Sequence, residues 1–178
     1  MKNVHLFFLV MLCSSMSLIA QETKDVTTEH QNSIATYLDS NGTMAQYDYA
    51  YGQLLSMLGK QFPEKESNAQ GWSYLKANKA QAMSEIKGLI GVIYAKHFEA
   101  GEIKEMLQFY QTDTAKQLLN DRSKMTETQK EELNAFFNTA TGSKIVEKQP
   151  VLTSEISKAS EEWSRQLYET ALSLVKDE

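Results

Sequence analysis

Apolar residues recur along most of this chain in steps of three and four, the period of one helix face, and not in steps of two. Ile34, Tyr37 and Leu38 form a first short stripe. Met44, Tyr47, Tyr51, Leu54, Leu55, Leu58 and Phe62 form a second, and Pro63 stops it because its ring cannot continue a helix. A longer stripe starts near Asn68 and carries Trp72, Leu75, Ala82, Met83, Ile86, Leu89, Ile90, Ile93, Tyr94 and His97, with a bend predicted near Asn78. Gly88 and Gly91 on that stretch predict close contact with another helix. Phe98, Glu99, Ala100 and Gly101 read as a turn into a helix bearing Ile103, Met106, Leu107 and Tyr110. A last stripe holds Leu152, Ile156, Ala159, Trp163, Leu167, Ala171 and Leu174, with Pro150 expected in its first turn, where a missing N–H costs nothing.

Helix starts are written three times as Thr-x-x-Gln, the spacing at which a hydroxyl caps a free backbone N–H and the amide side chain reaches back. The three are Thr28 with Gln31, Thr43 with Gln46, and Thr126 with Gln129. Asn41 and Gly42 tolerate the left-handed backbone that ends a helix. No alternating apolar segment bounded by turn residues is present, so strands are not expected. The pattern predicts an all-α, multi-helix bundle of about six to eight helices.

Part of the chain is written twice. Residues 102–119, EIKEMLQFYQTDTAKQLL, lie over residues 129–146, QKEELNAFFNTATGSKIV, without a gap, at an offset of 136 − 109 = 27 residues. Glu105 then matches Glu132, Phe109 and Tyr110 match Phe136 and Phe137, Thr112 and Thr114 match Thr139 and Thr141, and Ala115 matches Gly142. Each copy reads as an amphipathic helix, a Thr-centred break and a second helix. The duplicated hairpin spans 102–121 and 129–148 and is expected to pack against the long third helix and the terminal helix.

The chain opens with Lys2, an apolar run from Leu6 to Leu12 and small residues down to Ala20, the order of a secretory signal peptide in residues 1–20. The run is shorter than the roughly 20 residues that span a bilayer, which disfavours a retained anchor. Lipid attachment at Cys13 is an alternative, opposed by Leu12 where a small residue is usual. Residues 21–27 are polar and expected to be disordered. The remaining 28–178 are expected to form one helical domain. Removing residues 1–20 leaves 178 − 20 = 158 residues, no cysteine, and 17 basic against 23 acidic side chains, a net charge of −6. That balance opposes nucleic-acid binding. The periplasm is the expected compartment, with release from the cell as the alternative.

Catalytic chemistry is sparse. His97, near Tyr94, Glu99 and Glu102, could join an acid–base pair, but a single histidine is more often structural. No His-Glu-x-x-His or paired Cys/His spacing for zinc occurs. Ser84 with Lys87, and Ser173 with Lys176, match Ser-x-x-Lys, a pattern that arises readily by chance. Gly142, Ser143 and Lys144 lack a phosphate-cradling loop and read as a helix start with Lys144 in water. Glu127, Glu131 and Glu132, interleaved with Lys130, read as a wet helix face. No catalytic, cofactor-binding or metal-binding residue is assigned. The aromatic residues, Phe109 and Phe136 among them, read as core, with a ligand pocket between aromatic-rich helices as the alternative.

At the aligned residues the chain resembles the bacterial family named domain of unknown function 2059, exported helical proteins with an aromatic pair, a small turn and Gly-x-Lys. The resemblance is carried by Tyr94, Lys96, His97 and Phe98, by Phe109, Tyr110 and Thr112, and by Phe136, Phe137, Thr139, Gly142, Lys144 and Pro150. Asp113 and Ala140 stand where the family's turn has proline, Glu99 where a Ser or Thr cap is usual, and Ala115 in place of the first copy's glycine. Looser and unequal turns are therefore expected. The resemblance implies fold and export and leaves the activity blank. The functional expectation is a non-enzymatic, exported accessory domain binding another envelope protein, with no cofactor. The alternative is a carrier of a small apolar or lipid-like molecule, and a Ser/Lys or His hydrolase stands third.

Overall fold

The computed structural model describes residues 27–176, so residues 1–26, including the expected signal segment and Cys13, lie outside the described part. Eight α-helices make up nearly all of it, and no strand occurs among the described residues. They are α1 Thr28–Ser40, α2 Thr43–Gln61, α3 Ala69–Ala77, α4 Lys79–His97, α5 Ala100–Tyr110, α6 Asp113–Asp121, α7 Glu127–Phe137 and α8 Ala140–Val175. The all-α bundle read from the periodicity is the fold.

Helix boundaries differ from the expected ones in instructive ways. α1 is capped by Thr27, whose hydroxyl accepts the His30 N–H at 3.2 Å, and Thr28 is already helical. Thr43 is likewise the first residue of α2 and not its cap. The chain reverses from α1 into α2 through Asn41 and Gly42, with Gly42 at φ +83° and the Asn41 side chain accepting the Thr43 N–H at 3.0 Å. A two-residue connection leaves no extended residue to place a threonine hydroxyl over the helix end. Thr126 with Gln129 does form the reciprocal box, at 3.2 and 3.0 Å. Asn78 separates α3 from α4, as the bend predicted.

Pro150 does not open a helix. It sits inside α8, which runs unbroken for 36 residues, about 54 Å at the helical rise. Pro150 and Val146 are both exposed, so the carbonyl deprived of an N–H partner is open to water and the helix continues. The second hairpin's return helix and the terminal helix are therefore one element.

α8 lies along α4, α3 and α7, while α1 lies in a corner made by α5 and α4. The first copy of the hairpin thus packs through α5 on α8, the expected terminal helix, and mainly on α1, which was not expected. Leu38, Tyr51, Ile86, Ile90, Phe98, Ile103, Met106 and Trp163 fill the main core. A second cluster, Leu58, Trp72, Leu75, Ala171 and Val175, joins α2, α3 and the end of α8. There Gly71 touches α8 so closely that an added Cβ would lie 2.0 Å from the Leu174 carbonyl oxygen.

Candidate functional site

The duplicated hairpin is repeated in three dimensions down to its hydrogen bonds. Adding 27 to the bounds of α5 gives those of α7, and adding 27 to the start of α6 gives the start of α8. Thr112 caps α6 by accepting the Ala115 N–H at 3.2 Å, and Thr139 caps α8 by accepting the Gly142 N–H at 3.0 Å. Each hydroxyl also donates backwards, to Phe109 O or Phe136 O, at 2.7 Å in both copies. The preceding residues, Gln111 at φ −86°, ψ −11° and Asn138 at φ −90°, ψ −4°, are nearly superimposable. The caps are therefore equal and not loose, but the copies differ one turn later: a Cβ on Gly142 would lie 2.1 Å from the Phe136 carbonyl oxygen, whereas its counterpart Ala115 carries a Cβ in a buried site, so the second turn is the tighter one, as the exchange of glycine for alanine leads one to expect. The threonine carries the cap geometry, so the absent proline does not disturb it.

The copies face one another reciprocally. Thr114 donates to Glu132, and its counterpart Thr141 donates to Glu105, counterpart of Glu132, at 2.5 Å. Between them Phe109 and Phe136 stack with centroids 4.1 Å apart and planes 5° from parallel. Equivalent rings meeting each other, flanked by crossed equivalent pairs, is the contact pattern of a two-fold axis, as at an isologous dimer interface. Tyr110 and Phe137 close the cluster edge-on.

The remaining family-pattern residues join neighbouring helices. Tyr94 stacks on Phe98 at 5.7 Å and meets Tyr37 edge-on at 5.3 Å, and Tyr37 meets Tyr110 at 5.5 Å. Burial raises the phenol pKa of all three, most of all in Tyr37. His97 reaches across the bundle to a carboxylate that the local sequence did not point to. Its Nε2 lies 2.7 Å from Glu155 Oε2 on α8, while Lys96 binds the other oxygen of the same carboxylate. These contacts, Lys96 first and His97 second, hold the Glu155 carboxyl below the usual range. Lys144 is not in open water: it binds both oxygens of Glu102 at 2.8 and 2.6 Å and sits 5.6 Å above the Phe98 ring. Glu99 caps α5 despite its unusual chemistry, and its backbone N–H donates to Glu102 Oε2 at 2.7 Å.

Ser84 and Lys87 both line one groove, but the ion pair of Lys87 leads elsewhere. Lys87 binds Asp39 at 2.6 Å, and no hydrogen bond links it to Ser84. The Ser173 hydroxyl donates to Thr170 O. No group of three or more His, Cys, Asp or Glu side chains converges for a metal among the described residues.

What the helices do enclose is a groove of about 720 Å³ between α1 and α4, open to solvent along one side. Its apolar lining is Ile34, Ala35, Gly88, Gly91, Val92 and Ala95; Gln31, Asn32 and Ser84 are its neutral polar residues, and Lys87 and Lys96 its charged ones. Of the two glycines only Gly91 faces a neighbouring helix, α1, as expected; Gly88 does not. A Cβ on Gly88 would meet nothing within 4 Å, and one on Gly91 would meet only Ile34 Cγ2, at 3.8 Å. Val92 stands 71% exposed at the groove and Leu89 is 47% exposed on the same helix. The groove contains none of the aromatic residues around which a pocket was expected. Its sequence signal was present in the small and apolar positions 88, 91, 92 and 95, one turn apart on α4.

The fold and these contacts define a helical bundle containing a pseudo-two-fold pair of threonine-capped hairpins. Residues 84–128 and 122–170 match the family described as an uncharacterised protein conserved in bacteria, domain of unknown function 2059, each stretch containing one copy of the hairpin. Comparison with curated proteins and with solved structures gave no match. No helix of the described residues is long and apolar enough to cross a membrane.

Proposed function

We propose that this protein is an exported, non-enzymatic carrier of a small apolar or lipid-like molecule, and that the groove between α1 and α4 is its binding site. The observation that carries this reading is the open, largely apolar groove itself, with a volume of about 720 Å³. Ligand sites run to about 300–1,000 Å³, mostly apolar with a few polar groups at the edge. Export rests on the order of charge, apolar run and small residues in residues 1–20.

Native mass spectrometry of protein purified gently from its own envelope tests the reading. A retained ligand mass that disappears in Gly91→Leu, with its added side chain standing in the groove, is the expected result. Bare protein in both spectra would overturn it. The second reading, an accessory domain docking an envelope protein, is favoured by the exposure of Val92 and Leu89 on one helix face. It predicts that a photo-crosslinker at position 92 captures a protein and that the native mass carries no small ligand.

A further inference from the structure

The chemistry of the groove narrows the ligand. It is a channel more than a round pocket: from Ser84 to Lys96 its α4 wall runs about 18 Å at the helical rise. Small side chains along that wall and Ile34 and Ala35 opposite leave room for one slender chain. The charges are one-sided. Lys87 and Lys96 are the ionisable residues of the lining, with no carboxylate among it, although the chain as a whole has a net charge of −5.

The two lysines are not equivalent. Lys87 is only 29% exposed and is held by Asp39 at 2.6 Å. Lys96 is 63% exposed, and its partner Glu155 also binds His97 at 2.7 Å. If Lys96 turns into the groove, Glu155 keeps a hydrogen-bond partner, so exchanging that ion pair for one with a ligand leaves no carboxylate stranded. Lys96 lines the groove together with Ala95 and Val92, at one end of its α4 wall.

We propose that the groove binds a single-chain amphiphile with an anionic head group, its hydrocarbon chain lying along Gly88, Gly91 and Val92 and its head on Lys96. This rests on the carrier reading and supplies its ligand class. A free fatty acid and a single-chain phospholipid share this chemistry.

The test is calorimetric titration of the purified, delipidated protein with laurate, dodecanol and lauroyl lysophosphatidate. Saturable one-to-one binding of laurate is expected, about tenfold tighter than dodecanol. Lys96→Gln removes that tenfold preference and leaves dodecanol affinity unchanged. Val92→Glu, at an exposed position where folding is not at stake, weakens laurate far more than dodecanol. Gly91→Leu blocks all three while the circular dichroism stays helical. The ratio of laurate to lysophosphatidate affinity assigns the head group to carboxylate or phosphate.

The proposal is overturned by three results: no binding of either anionic amphiphile, equal affinity for laurate and dodecanol, or laurate binding indifferent to both Gly91→Leu and Val92→Glu. If neither amphiphile binds but protein from its own envelope retains another mass, the ligand class is wrong and the carrier reading stands. If no mass is retained either, both fall.

Discussion

Phe109→Ala is the substitution whose cost is best defined. The ring is 8% exposed, lies flat against Phe136 with centroids 4.1 Å apart, and is edged by Tyr110 at 5.4 Å and Phe137 at 6.5 Å. Truncating a buried phenylalanine costs about 3–5 kcal/mol, from lost transfer energy and the cavity left behind. At this chain length each kcal/mol moves Tm by about 2–4 °C, so the melting temperature should fall by about 6–20 °C. Phe136 is only half-buried, so Phe136→Ala should cost less, about 1.5–3 kcal/mol. Once one ring of the stack is gone the other has lost its partner. The double variant should therefore fall short of the sum by about 0.5–1.5 kcal/mol. Urea and thermal unfolding followed by far-ultraviolet circular dichroism measure all three. An unchanged Tm for Phe109→Ala, or strict additivity in the double variant, would refute the stacked two-fold contact.

Two further predictions follow from local geometry. Gly142→Ala should destabilise by about 1–3 kcal/mol, because the new Cβ would lie 2.1 Å from the Phe136 carbonyl oxygen and 2.6 Å from Phe137 Cα, and equilibrium unfolding reads the loss. Burial raises the Tyr37, Tyr94 and Tyr110 phenols, so their neutral forms contribute stability that is whole below the unfolded value of about 10 and lost as pH climbs towards the folded one. Tyr37→Phe should therefore flatten the alkaline limb of a Tm-against-pH curve, and an identical limb in the variant would contradict the buried phenol.

Much of this fold was legible because helix periodicity is local. The stripes on α2 and α8 and the break at Asn78 needed only neighbouring residues, and the 27-residue repeat needed only comparison of the chain with itself. What spacing could not give was partnership across the bundle. Glu155 lies 58 residues from His97, and nothing in the periodicity distinguishes it from the other glutamates of the chain. The crossed Thr–Glu pairs were half visible. The alignment matched Glu105 to Glu132 and Thr114 to Thr141, but only the docking of the two hairpins decides that each threonine reaches the other copy's glutamate. Pro150 misled because helix-breaking is a strong local rule, relaxed where the orphaned carbonyl is open to water. The groove misled differently. Spacing alone assigns both Gly88 and Gly91 to close helix contact; Gly91 does face Ile34 of α1, whereas the room at Gly88 opens to solvent.

The most direct measurement of that open space is the stability of Gly88→Ala and Gly91→Ala. Both residues lie inside α4, where alanine is preferred to glycine by about 0.5–1 kcal/mol, and neither new methyl would meet an atom closer than 3.8 Å. An open groove predicts that each variant unfolds at a higher temperature than the wild type. A lower Tm in either would mean that something already fills the space above α4, contradicting a free binding groove.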